Sequence, residues 1–225
     1  MSTPTTVLVS EPSACAGDGA HPLAGYYRWH ARIYDHTRWA FLFGRGALVR
    51  MAVRHMAMPQ RILEVGCGTG SNLVSLAHHF PKARIIGLDL SRDMLDRARV
   101  KVRPLGGRVG LLHRAYDAPV AVGPKFDLIV LSYALTMMNP GHDEVLRLCR
   151  EDLSERGMIA VVDFHESRHS WFRRWMGVNH VRMEGQVLRS LNEGFDPLLS
   201  RISQGYGGLW SYQTFIGRSK ASAQG

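Results

Sequence analysis

Arg61-Ile62-Leu63-Glu64-Val65-Gly66-Cys67-Gly68-Thr69-Gly70-Ser71-Asn72-Leu73 decides how this chain is read. Ile62, Leu63 and Val65 form a short apolar run of the kind buried in a parallel strand. Three alternate glycines follow, and then a helix-like segment from Ser71 to Phe80. Strand, tight turn and helix start therefore come in immediate succession. Glycine suits a sharp turn, and it suits a ligand lying against main chain, because a Cβ would stand in the way. The stretch predicts a cradle for a nucleotide-type ligand.

Glycine spacing narrows the ligand. Dinucleotide sites favour G-x-G-x-x-G with the pyrophosphate on the helix N-terminus, whereas here the pattern is G-x-G-x-G behind Glu64. A carboxylate so close to the turn repels a pyrophosphate but accepts hydrogen bonds from an ammonium group. About twenty residues on, Ile85-Ile86-Gly87-Leu88-Asp89 reads as a second buried strand ending in an acid, where a ribose diol would be held. Together Glu64 and Asp89 suit an adenosyl ligand with a cationic amino-acid tail.

The series continues through Gly87-Leu88-Asp89-Leu90-Ser91 with Met94-Leu95, then Asp117-Ala118, then Phe126-Asp127-Leu128-Ile129-Val130 running into Ser132-Tyr133-Ala134-Leu135. In order and spacing, over roughly residues 60 to 165, it resembles the class I S-adenosylmethionine-dependent methyltransferases. The resemblance implies a Rossmann-like α/β fold: a seven-stranded, mostly parallel sheet with helices on both faces and a C-terminal antiparallel hairpin. It implies S-adenosylmethionine as cofactor, with Gly66, Gly68 and Gly70 beneath it and Asp89 on the ribose hydroxyls. Leu90 and Ser132 would line the same site, and Asp117-Ala118 would meet the adenine edge, although Tyr116 replaces the usual glycine before Asp117.

The apolar pattern agrees with this. Strands are predicted at 61–65, 84–89, 108–113, 126–132 and 157–163, and helices at 71–80, 91–102 and 142–153, an alternation that argues for a parallel sheet clothed by helices. Ser91 followed by Asp93 is a favourable helix start. The tail predicts a helix from 178 to about Asn192, then strands at 197–203 and 209–216 joined at Gly205-Tyr206-Gly207-Gly208. The organisation expected is a disordered lead-in at 1–22, an N-terminal helical lid at 23–58 and a methyltransferase domain at 59–218.

Composition limits the alternatives. The opening segment lacks a basic n-region, so a secretory signal is not expected, and no run of about 18 apolar residues predicts a membrane span. Cys15, Cys67 and Cys149 show no paired spacing, which fits a reduced cytoplasm and no zinc or redox centre. His165 and His169 could meet on one helix face, but with no third ligand nearby no metal site is expected. Ser132 lies outside any G-x-S-x-G elbow, so hydrolase chemistry has no support.

A formal charge of +9, mostly from arginine, favours an anionic partner. Between His21 and Gln60 the only acid is Asp35, and six arginines are interleaved with aromatic residues such as Tyr26, Trp29, Tyr34, Trp39 and Phe43. Such a stretch suits either an interfacial helix or an ordinary cover helix with its aromatic side inward. By resemblance to small-molecule members of the family it would fold over the cofactor as a lid, with Tyr34 near the methionine end.

The reaction in this family is an in-line displacement from a sulfonium, so the protein chiefly aligns and desolvates. A hydroxyl or carbon acceptor would also want a base. Tyr133, Asp163 and His165 are the candidate catalytic groups past the strand ends, with His180 a further one. No Asn-Pro-Pro-Tyr element follows the fourth strand, which weighs against nucleic-acid bases as acceptors.

Ile33-Tyr34-Asp35-His36-Thr37-Arg38, Phe43-Gly44-Arg45, Ser132-Tyr133-Ala134-Leu135-Thr136-Met137-Met138 and Val161-Val162-Asp163-Phe164 resemble bacterial diacylglyceryl-homoserine and phospholipid N-methyltransferases. That likeness implies a small amine or lipid headgroup as acceptor and a place at the inner face of the membrane. Trp171, Phe172, Trp175 and Met176 among Arg168, Arg173 and Arg174 fit peripheral contact with an anionic bilayer, or equally a packed lid over a soluble substrate. A soluble metabolite, a quinone-like precursor and a non-catalytic binding module stay open beside the lipid reading.

Overall fold

The computed structural model describes residues 42–138, 141–178 and 181–220. The lead-in at 1–22, most of the expected lid, Tyr34 and His180 lie outside the described residues.

Strands β1 (Arg61–Val65), β2 (Arg84–Asp89), β3 (Val109–His113), β4 (Phe126–Ser132), β5 (Leu153–Phe164), β6 (Phe195–Gly205) and β7 (Trp210–Ser219) form one sheet in the order β3-β2-β1-β4-β5-β7-β6. The first five are parallel, and β7 runs antiparallel to both β5 and β6. Strand order reverses between β1 and β4, so the crevice beyond their carboxyl ends is where such a sheet receives a ligand. This is the seven-stranded, mostly parallel sheet with a terminal hairpin that the sequence predicts.

The helices are α1 (Arg45–His55), α2 (Ser71–His79), α3 (Arg92–Val102), α4 (His142–Asp152), α5 (Ser170–Val178) and α6 (Gln186–Gly194). Alternate residues of the central strands serve two cores, one on each face. Ile62, Leu128, Ala160 and Val162 pack with Leu48 of α1 and Leu73 of α2, while Leu63, Ile129 and Val161 pack with Leu146 of α4 and Leu191 of α6. Near-continuous burial of β1, β4 and β5 is why these strands read as unbroken apolar runs. The Ser91 hydroxyl accepts from Met94 N at 3.3 Å, capping α3 as its sequence predicts.

Two expectations change. Strand β5 begins at Leu153, directly after α4, instead of at 157. The helix expected from 178 to Asn192 is interrupted: Glu184 bridges to Glu166, Gly185 N donates to His165 O at 3.1 Å, and α6 begins only after Gly185 at φ 68°. Val181 and Met183 point into the core in this extended stretch, so tertiary burial overrides helix propensity there.

The loop after β3 is tied down from below. Buried Asp152 at the end of α4 accepts from Tyr116 Oη at 2.8 Å, from Val120 N at 2.9 Å and from Ala121 N at 2.9 Å. Replacing Asp152 with Ala strands a phenol and two amides, and should lower unfolding free energy by about 2–4 kcal/mol. The urea midpoint should fall accordingly, with Asp152→Asn falling less.

Candidate functional site

The site is built by the turn after β1. Gly66, Gly68 and Gly70 have φ of 71°, 52° and 76°, all in the left-handed region that side chains disfavour. A Cβ at Gly70 would come within 3.0 Å of the Ala98 Cβ, so that glycine lets α3 close against the loop. At Gly68 a Cβ would meet nothing within 4 Å. Its bare main chain thus faces open space at the start of α2.

Asp89 sits directly across the turn. One carboxylate oxygen accepts from Gly68 N at 2.7 Å and the other from Ser91 N at 2.9 Å. The acid at the end of β2 therefore points into the glycine loop, one end of it holding the turn and the other holding the start of α3.

Glu64 lies fully buried beneath the same loop. Asn72 Nδ2 donates to its Oε1 at 2.8 Å, while Oε2 is buried without a partner. Burial pushes its carboxyl from an ordinary 4.5 up to about 8, against the lowering pull of the Asn72 bond and the Arg45 charge, and Asp89 adds to the rise. An unpartnered acceptor in a buried site is expensive unless a donor arrives. An ammonium group would supply it, and with the open face of Gly68 this fits the amino-acid end of an adenosyl cofactor.

Lys101 on α3 closes one flank, its Nζ donating to Thr69 Oγ1 at 3.0 Å and Ser71 Oγ at 2.9 Å. Burial lifts the Cys67 thiol well above its usual range, so it is a neutral packing group in the loop.

The second flank comes from β4 and β5. Tyr133, just past β4, is buried at φ 55°, and its hydroxyl donates to Phe43 O at 2.7 Å. Burial holds its phenol protonated. Ser132 Oγ is buried with no partner.

Asp163 accepts from Leu135 N at 2.8 Å, Thr136 N at 3.2 Å, Phe164 N at 2.8 Å and the Thr136 hydroxyl. Those four donors leave no lone pair for an acceptor's proton. What the carboxylate does is hold the 3-10 turn Leu135–Met137 against the end of β5. Burial raises its pKa to about 6 against the pull of these hydrogen bonds.

His165 is half-buried, with Nδ1 3.2 Å from Gln213 Oε1 on β7. Gln213 Nε2 is itself buried without a partner.

The expected adenine edge is looser. Asp117 is exposed and ion-paired to Arg114 at 3.3 Å, and Arg114 also donates to Ala118 O at 3.2 Å. Leu90 is 36% exposed, and its carbonyl lies 3.0 Å from His113 Nε2. Asn72, Lys101, Arg45 and Gln213 join the site without having been singled out as ligand-binding residues. Only Asn72, a buried polar residue in the first turn of α2, carried a local clue. A separate groove of about 720 Å³, lined by Lys125, Arg147, Arg150, Glu193 and Lys220 among others, contains none of these residues.

Comparison with known proteins agrees with this geometry. Residues 62–157 match the family model described as a methyltransferase domain. The chain is 31% identical over 105 residues to the ubiquinone/menaquinone biosynthesis C-methyltransferase UbiE of Syntrophotalea carbinolica, covering 45% of this chain and 44% of that protein. It is 36% identical over 103 residues to a trans-aconitate 2-methyltransferase of Streptomyces avermitilis, covering 45% and 38%. The match thus spans less than half the length of these relatives.

Among solved structures, the 1,6-didemethyltoxoflavin-N1-methyltransferase of Burkholderia thailandensis, with its substrate and S-adenosylhomocysteine bound, superposes with a TM-score of 0.69. That superposition covers 95% of this chain and 94% of that one at 16% identity, which establishes a shared fold.

Proposed function

We propose that this methyltransferase, with S-adenosylmethionine as its methyl donor, methylates the amine of a small molecule or lipid headgroup while resting on an anionic membrane surface. The observation carrying the membrane half is the outward stripe of α5. Phe172 and Met176 turn inward, whereas Trp171, Trp175 and Val178 are 61%, 42% and 78% exposed. Arg168 and Arg174 are exposed beside them, and α5 contains no acid. Tryptophan rings partition to headgroup depth while arginines meet lipid phosphates. Helix α5 follows β5, whose carboxyl end faces the site, so a headgroup reached from that side arrives at Tyr133 and His165.

Bound in the crevice, S-adenosylmethionine supplies an electrophilic methyl group for in-line transfer. Glu64 Oε2, unpartnered in its buried place, would accept from the donor's ammonium, the bare Gly68 main chain would lie against the nucleoside, and Asp89 at the end of β2 would hold the ribose. Tyr133 and Ser132 line the acceptor side. With Nδ1 donating to the Gln213 amide oxygen, His165 keeps its Nε2 lone pair for the proton the acceptor nitrogen sheds. Asp163 positions the 135–137 turn and stays out of proton transfer.

Sedimentation with vesicles tests the membrane half. Binding should appear with anionic vesicles, weaken with salt, and drop about 30-fold or more when Trp171 and Trp175 are both replaced by Ala, since each ring contributes roughly 1 kcal/mol or more at an interface. No binding at low salt would instead favour the second reading, a soluble metabolite or quinone-like precursor. The named relatives, a quinone-pathway C-methyltransferase and an aconitate methyltransferase, support that alternative. Among the described residues no helix is long and apolar enough to cross a membrane.

A further inference from the structure

Positive charge is unevenly placed on this chain. From Leu42 to Leu88 the only acid is Glu64, which is buried, while the same stretch holds six arginines and lysines and three histidines. The fold gathers many of them at one end. Helices α1, α2 and α3 lie side by side on one face of the sheet, and each runs toward the amino ends of the strands, opposite the crevice. Arg54 and His55 close α1, His78 and His79 close α2, and Lys82 and Arg84 lead into β2, all six exposed. Arg103, also exposed, follows α3, and Arg61 is the register partner of Arg84 at the mouth of β1.

This charge is not neutralised by carboxylates. Among the described residues Arg99, Arg114 and Arg147 form ion pairs elsewhere on the surface, whereas Arg54, Arg61, Lys82, Arg84 and Arg103 form none. Asp127 lies close by at the start of β4, but it accepts from Gln60 N at 2.7 Å, Arg61 N at 3.1 Å and Ser154 Oγ at 3.3 Å. Like charges facing one another destabilise a fold, and an anionic partner removes that penalty.

What accompanies the charge narrows the partner. Met58 is exposed at this end, but among the described residues no aromatic ring is. The surface thus lacks the apolar centre of a protein interface, and it lacks the rings that enter a bilayer or stack on unpaired bases. Phosphates of a duplex fit it better. The histidines add a further constraint. Nδ1 of His55, His78 and His79 lies 2.8, 2.7 and 2.9 Å from the main-chain oxygens of Met51, Val74 and Ser75. A carbonyl only accepts, so each Nδ1 carries a proton and each Nε2 of a neutral ring is an acceptor. A phosphate diester offers no donor to such an atom, but the 2′-hydroxyl of RNA does.

We propose that this end of the molecule docks on double-stranded RNA through its backbone, the arginines and lysine taking phosphates and the histidines taking 2′-hydroxyls. Three helix ends set about 9 Å apart span roughly 20 Å, the length of about a dozen phosphates on a duplex. The RNA is a support and not the methyl acceptor, because these cations sit at the opposite end of the strands from the crevice. The proposal stands apart from the reading of the acceptor.

Fluorescence anisotropy with a labelled RNA duplex of about 20 base pairs tests it. The logarithm of the affinity should fall with the logarithm of salt at a slope of about 4 to 5, as for five phosphate contacts. Arg54→Gln, Lys82→Gln and Arg84→Gln together should make the slope shallower by about 3 and weaken binding about 30-fold or more at low salt. Replacing Arg168, Arg174 and Arg201 with Gln removes as much charge elsewhere, and should change affinity less than about threefold. The RNA should bind about fivefold tighter than a DNA duplex of the same sequence, and His55→Phe, His78→Phe and His79→Phe together should erase that preference. Equal loss from the two triple replacements of cations would overturn the proposal, as would equal affinity of the unaltered protein for RNA and DNA. So would vesicles containing phosphatidylserine that lose as much binding as the RNA does when Arg54, Lys82 and Arg84 are replaced, since the surface would then be a bilayer contact.

Discussion

Gly68→Val should weaken S-adenosylhomocysteine binding about 100-fold or more while the protein stays folded. A Cβ at this position meets nothing within 4 Å, so the valine side chain enters the volume the ligand needs and displaces no part of the protein. The stability cost is confined to forcing a β-branched residue to φ 52°, about 1–2 kcal/mol. Overlap of the added carbons with a bound nucleoside should cost about 3 kcal/mol or more, on the order of 100-fold in affinity.

Gly207 provides the control, with φ 64°, ψ 20° and equally open space around a Cβ, but in the turn between β6 and β7, three strands across the sheet from β1. Gly207→Val should show the same small loss of stability and unchanged binding. Calorimetry and urea unfolding of the two variants side by side check the expectation. A Gly68→Val protein that binds normally would mean that the ligand does not lie against this turn.

The second large effect is a stability profile of unusual sign. Most acids in folded proteins have depressed pKa values and favour the folded state as pH rises; Glu64 does the reverse. Its carboxyl is raised from 4.5 to about 8, so below 4.5 both folded and unfolded states hold the proton. Between 4.5 and about 8 the unfolded chain releases it and the folded chain retains it. Stability should therefore fall across that interval, by roughly 4–5 kcal/mol in all at about 1.4 kcal/mol per pH unit, and level off above it.

Asp163, raised from 3.8 to about 6, adds a loss of the same sign at the lower end of the range. The groups acting on Glu64 are Asn72 from α2, Arg45 from α1 and Asp89 from β2. Urea midpoints measured from pH 5 to 9 should decline, and Glu64→Gln should remove the decline above about pH 6. Saturating S-adenosylhomocysteine should also flatten it, because an ammonium against Oε2 favours the ionised acid. A midpoint that climbs through this interval in the ligand-free protein would show that the carboxylate is not held protonated.

How much of this could be read in the chain follows from the range of the interactions. The strand, glycine turn and helix from Arg61 to Leu73 were legible because all their determinants lie within a few residues of one another. Asp89 was legible because its distance from the loop is set by one helix and one connection. The two tail strands and their Gly205-Tyr206-Gly207-Gly208 turn were legible locally, while their antiparallel place on the sheet came from the family likeness.

Long-range pairings were not legible. Asp163 reads in sequence as an acid past a strand end, a natural base, but its donors lie at Leu135 and Thr136, on a turn between β4 and α4. Tyr116 reads as a departure from the family pattern, and only the fold reveals Asp152 as its partner 36 residues on. The break before Gly185 depends on a bridge to Glu166 that no helical periodicity records. Arg45 was read only within the Phe43-Gly44-Arg45 likeness, and its electrostatic action on Glu64 depends on the fold.

The phenol of Tyr133 is a crossbar between the end of β4 and the segment before α1, beside the contacts of the Phe43 ring with Trp210 and Tyr212. Its ring is edge-on to Phe164 at 4.7 Å, and its oxygen grips the main chain at Phe43. Whatever tilts the segment before α1 must therefore stretch this link or drag the end of β4 with it. Movement of the segment entering α1 and reshaping of the crevice wall at Tyr133 are in that sense one mechanical event.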